Sequence, residues 1–160
     1  MRRLFFLCLV ALVLLAPICL ADSAPVVGEL APPVSLPSLD GKNVSLSSFI
    51  GKPIILTFFA SFSKPCKDEL VALDQIKKAN ARVEIIAVSI DKKAKSVEDF
   101  LSENKVNLNF LFDKKLSVIS KYSILILPTT YCINKEGKID KIFVDFDDSV
   151  KKSISEWLKY

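Results

Sequence analysis

The chain has 160 residues, four cysteines, no histidine and a net charge of +4, and 51% of it is hydrophobic. Having no histidine excludes histidine bases, Ser-His and Cys-His nucleophile pairs and most zinc sites at once. The lysine pairs Lys77-Lys78, Lys92-Lys93, Lys114-Lys115 and Lys151-Lys152 are dispersed, with acids near most of them. They describe a solvated surface and not a nucleic-acid patch.

Arg2-Arg3, the apolar run 4–15 and the ending Ala16-Pro17-Ile18-Cys19-Leu20-Ala21 read as an export signal cut after Ala21. An uncleaved membrane anchor is the alternative, although the run is near the lower limit for a span. Cys19 raises lipidation, against which the preceding Ile18 argues. The expected division is 1–21 signal peptide or anchor and 22–160 one domain. That domain would be exported to the periplasm or cell envelope, a disulfide-permissive setting. It keeps only Cys66 and Cys132, too few for a stapled scaffold.

Residues 34–39 and 43–46 alternate around Asp40-Gly41, a hairpin signal. Residues 54–60 are almost continuously apolar, as a buried central strand requires. A helix is expected over 65–78, with Cys66, Leu70, Leu73 and Ile76 on its inner face. A second buried strand follows at 83–90, then a helix at 97–104, a strand at 108–112 and a brief helix at 116–122. Residues 129–133 and 139–146 form a hairpin around Asn134-Lys135-Glu136-Gly137. A last helix, 149–158, puts Val150, Ile154, Trp157 and Leu158 on one stripe. This succession predicts an α/β domain with a mixed sheet covered on both faces.

The landmarks Ala31-Pro32-Pro33, Leu39-Asp40-Gly41-Lys42, Gly51-Lys52-Pro53-Ile54, Phe59-Ala60-Ser61-Phe62-Ser63-Lys64-Pro65-Cys66 with Glu69, and Leu127-Pro128-Thr129-Thr130 span the domain from about Gly28 onward. On these the chain resembles the TlpA/ResA group of thioredoxin-like proteins and, more loosely, the peroxiredoxins. The resemblance implies a thioredoxin-like fold with an N-terminal hairpin and a cis proline at Pro128 facing the corner at residues 63–66. It implies Cys66 as the catalytic residue, with Ser63, Lys64, Pro65, Glu69, Pro128 and Thr129 shaping the site. It calls for no cofactor or metal.

One departure dominates. The family has cysteine where this chain has Ser63, and tryptophan where it has Phe62. A dithiol attacks with one thiolate and resolves the mixed disulfide with the other; here the first cysteine, which attacks in the family, is replaced by Ser63, and Cys66 has no internal partner. The first expectation is therefore single-cysteine thiol-redox work by Cys66 on a protein thiol or disulfide, rescued by an external low-molecular-weight thiol. Contact with a membrane would come only through an uncleaved N-terminal segment.

Ser63 is expected to cap the helix through the N–H of Cys66, since Pro65 has none, and to hydrogen-bond a Cys66 thiolate. The helix N-terminus favours that thiolate, and burial would oppose it. Cys66 is then either a reactive thiolate or a small buried hydrophobe left from a lost dithiol. Cys132 lies four residues beyond Pro128, about 13 Å along a strand at ~3.3 Å per residue. It is thus expected in the core and out of disulfide reach, given a Cα limit of roughly 7 Å.

Two further readings stand beside the first. A redox-inactive module would bind extended peptide in a groove to which Phe59, Phe62 and Ile126 could give an apolar surface, each being equally well explained as core packing. A peroxiredoxin-like peroxidase would use Ser63, Cys66 and Glu69, but its proline falls on Phe59 and its arginine has no counterpart beyond the distant Arg82. Asp145, Asp147 and Asp148 are expected to serve the last helix N-terminus. Asp91 is expected in a polar loop.

Overall fold

The computed structural model describes residues 23–159, and the expected signal segment lies outside them. The chain begins with a small antiparallel sheet, β1 (Ser35–Pro37) and β2 (Asn43–Ser45). Its turn is closed by the N–H of Gly41 donating to the Ser38 carbonyl at 3.0 Å, with Gly41 at φ +80°. Leu46, expected at the end of the second strand, instead opens a 3-10 turn (Leu46–Phe49) and drops into the core.

The main sheet is built on β3 (Ile54–Phe59), every residue of which is buried. β4 (Glu84–Ser89) and β5 (Asn109–Phe112) extend it in parallel on one side, and β6 (Thr129–Ile133) and β7 (Ile139–Val144) in antiparallel on the other. The order is β5-β4-β3-β6-β7. Four helices cover it: α1 (Lys64–Ala79), α2 (Ala94–Asn104), α3 (Ser117–Lys121) and α4 (Asp148–Trp157). Among the described residues no helix is long and apolar enough to cross a membrane.

The period of two along β3 divides the core. Ile54, Leu56 and Phe58 face a cluster with Val34, Leu36, Leu46, Val118 and Tyr122, from the hairpin and α3. Ile55 and Phe59 point the other way, onto α1, α2 and α4. There Leu70 and Leu73 are wholly buried, each contributing roughly 1.5–3 kcal/mol by leaving water. On α4, Ile154 is buried, while Val150, Trp157 and Leu158 pack half-buried against the same layer.

The β6–β7 hairpin turns on Gly137 at φ +83°. That left-handed backbone is what requires glycine; an added Cβ would also meet Ile50 Cδ1 at 2.9 Å, a contact the exposed Ile50 side chain relieves by moving. β7 stops at Val144 rather than 146, because Asp145 takes φ +69° and turns the chain toward α4. The Asp147 carboxylate caps that helix, accepting from the Val150 N–H at 2.8 Å.

Candidate functional site

Parallel pairing of β3 with β4, and antiparallel pairing of β6 with both β3 and β7, bring four chain segments to one end of the sheet. They are the corner after β3, the loop after β4, the loop entering β6 and the turn leaving β7. Phe58 lies opposite Thr129, and Thr129 opposite Val144. Residues 61–66, Asp91, Pro128 and Asp145 therefore meet there.

At the corner, Ser63 is the N-cap of α1 in extended backbone, and Pro65 stands in the first turn where its missing N–H costs nothing. The expected Ser63 cap is not formed: its side chain accepts no backbone N–H of the helix. The hydroxyl faces the Cys66 sulfur instead, while the Ser63 carbonyl accepts from the Lys67 N–H at 3.1 Å. Lys64 is exposed and paired with Asp68 at 2.6 Å.

Cys66 has no accessible surface. It packs with Phe59, Leu70, Ala87 and Phe100, and Leu127 closes against the same cluster. Burial pushes its thiol up; the Ser63 hydroxyl and the Ala60 backbone pull it back, and the carboxylates of Glu69 and Asp91 oppose them. Burial outweighs the two lowering contacts, because a thiolate stripped of water loses more than the Ser63 hydroxyl and the Ala60 backbone return.

Glu69, one turn further along α1, is wholly buried. It accepts from Thr57 Oγ1 at 2.7 Å and from Thr130 Oγ1 at 2.6 Å. The two threonines are cross-strand partners, so a single carboxyl ties α1 to β3 and β6. Burial raises its pKa from 4.5 to about 7, against the lowering by Thr130 and Thr57. At neutral pH this is a half-protonated carboxyl one helical turn from the sulfur.

The Leu127–Pro128 bond is cis. Thr129 is buried, and its hydroxyl donates to the Ile126 carbonyl at 2.7 Å, so it shapes the loop and does not line its surface. Phe59 is also buried and belongs to the core, the second of its two expected places, and so does not line the groove. Exposed apolar residues at this end include Phe62 (81%), Ile126 (55%), Leu125 (95%) and Val144 (54%), the last two not anticipated from the sequence.

Asp91 lies in the expected polar loop after β4, but its side chain turns inward: it is buried and accepts from the Ser61 N–H at 3.0 Å, Ser61 Oγ at 2.9 Å and Ser89 Oγ at 2.7 Å. It clamps the corner to the end of β4. The signals for Asp91, Thr57 and Thr130 were polar residues set in or beside apolar strands, where a buried side chain must find a partner.

Cys132 lies opposite Ile55, four residues from the Phe59 end of β3, and both cysteines are free. Burial pushes its thiol up to about 12. Arg82 sits beyond Ala79, where β4 begins, at the far end of the sheet from Cys66.

A central strand feeding a helix through this corner, with antiparallel β6 and β7 beside it, defines a thioredoxin-fold protein. Residues 27–142 match the AhpC/TSA family model. The chain is 30% identical over 135 residues to the thiol-disulfide oxidoreductase ResA of Bacillus thuringiensis, covering 83% of this chain and 77% of that protein. It is 34% identical over 121 residues to the thioredoxin-like protein YneN of Bacillus subtilis, covering 73% and 71%. A Chlorobium tepidum structure assigned as the thiol:disulfide interchange protein DsbE superposes with a TM-score of 0.80 at 25% identity, covering 85% of this chain and 97% of that one. The chain belongs to the AhpC/TSA family, among its ResA-like thiol-disulfide oxidoreductases.

Proposed function

We propose that this chain is an exported ResA-like protein that has given up disulfide exchange and holds extended polypeptide at the rim formed by Phe62, Leu125, Ile126 and Pro128. One observation carries the reading: the sulfur left at the corner is inaccessible and burial disfavours its thiolate. Attack on a disulfide needs an exposed thiolate, and the position that would present one is Ser63. The exposed apolar side chains beside it need no sulfur to bind a peptide. The apolar leader with its basic start supports export.

A second reading keeps Cys66 in chemistry. The Ser63 hydroxyl against its sulfur would favour a thiolate once the corner opened. Cys66 would then attack a partner disulfide, releasing one partner thiolate. An external thiol would resolve the mixed disulfide, leaving its own sulfur bonded to the partner and Cys66 reduced. Peroxide reduction would need the same Cys66 sulfur exposed, and it is buried.

The two readings separate on the rate of Cys66 alkylation against pH in residues 23–160 carrying Cys132→Ala. Modification no faster than global unfolding, with peptide binding that survives Cys66→Ser, supports the binding module. Fast modification well below pH about 8.5, the ordinary thiol value, overturns it in favour of single-cysteine redox work.

A further inference from the structure

The rim is electrically divided. On the corner side, the Asp91 clamp on Ser61 and Ser89 holds the next two residues, Lys92 and Lys93, beside the turn that carries Phe62. Both lysines are exposed, and neither forms an ion pair among the described residues, whereas the neighbouring Lys64 is neutralised by Asp68. On the other side, the Asp145 N–H donates to the Pro128 carbonyl at 2.8 Å, fastening the turn after β7 to the loop of Leu125 and Ile126. Asp145, Asp147 and Asp148 are exposed there, also without an ion pair among the described residues. Hydrogen bonds to Ser149 and Val150 hold the Asp147 carboxyl below its usual range, so that wall stays anionic.

From this we infer that the occupant is an extended polypeptide segment carrying a large apolar side chain between an acidic half and a basic half. The acidic half lies toward Lys92 and Lys93, and the basic half toward Asp145 and Asp147. The inference rests on the reading of this rim as a polypeptide site. A segment of one sign gains at one wall and loses at the other, so the two walls select both the charge pattern and the chain direction. Each exposed pair contributes little alone and is weakened by salt.

The test uses the full-length chain and fluorescent synthetic peptides with one Phe-Leu core. Glutamates and lysines flank the core in the two opposite orders, and a third peptide has serines in place of both. Fluorescence anisotropy at low salt should show one charge order binding roughly three- to tenfold tighter than the serine peptide, as a few exposed pairs allow. High salt, and Lys92→Glu with Lys93→Glu, should each remove that advantage.

Both orders binding no tighter than the serine peptide, while Phe62→Ala still weakens that peptide, overturns the inference and leaves the polypeptide site standing. A serine peptide indifferent to Phe62→Ala overturns the site itself. Sedimentation showing a salt-sensitive dimer that occludes Phe62 would make the occupant a second copy and also overturn the inference.

Discussion

Replacing Glu69 by glutamine tests the account of the site directly. In the unfolded chain this carboxyl ionises near 4.5, while in the native state burial holds the proton until about 7. The stability it confers is complete below pH 4.5, falls as pH rises between the two values, and is gone above the native one. At about 1.4 kcal/mol per pH unit the loss is about 3 kcal/mol. Glutamine mimics the protonated acid: its amide oxygen accepts from one threonine and its NH2 group donates to the other, leaving the links to Thr57 and Thr130 in place. Urea unfolding of both proteins at pH 4.5, 6 and 7.5 measures the difference, and the other titrating groups cancel. The advantage of Glu69→Gln should grow by about 3 kcal/mol from the lowest pH to the highest. Two curves parallel to within about 0.5 kcal/mol would show that Glu69 is not held protonated, and the burial argument would fail.

The corner and core yield four further expectations. Ser63→Cys should form a disulfide with Cys66 and confer insulin reduction by the dithiol form; a variant that stays inert would show that more than one sulfur has been lost. Asp91→Ala removes the acceptor of three hydrogen bonds and should cost about 3 kcal/mol in chemical denaturation. Cys132→Ser should cost about 1–2 kcal/mol more than Cys132→Ala, because it buries a hydroxyl beside Ile55 and Leu73. Asp147→Ala should remove about 1 kcal/mol, as loss of a helix N-cap does, and thermal unfolding would report it.

The fold was legible because its signals are local and periodic. Residues 54–60 are apolar without a break, the face Cys66, Leu70, Leu73 and Ile76 recurs at helical spacing, and Asp40-Gly41 and Gly137 mark turns that need positive φ. Those patterns set the central strand, the long helix and both hairpins to within a few residues. Boundaries were less clear where tertiary packing competed: Leu46 left its strand for a core pocket, and Asp145 ended β7 early.

The site divides along the same line. Sequence alone determined that the corner carries a single sulfur, Cys66, with serine at 63, because covalent composition is independent of folding. It could also say that Cys132 was out of reach, because spacing along a strand is fixed by backbone geometry. Only the tertiary structure decided that Cys66 is sealed, that Glu69 bridges two threonines from strands far apart in the chain, and that Asp91 clamps the corner from 30 residues away. Burial and pKa depend on atoms brought together across the fold. They belong to the packing and not to any stretch of sequence.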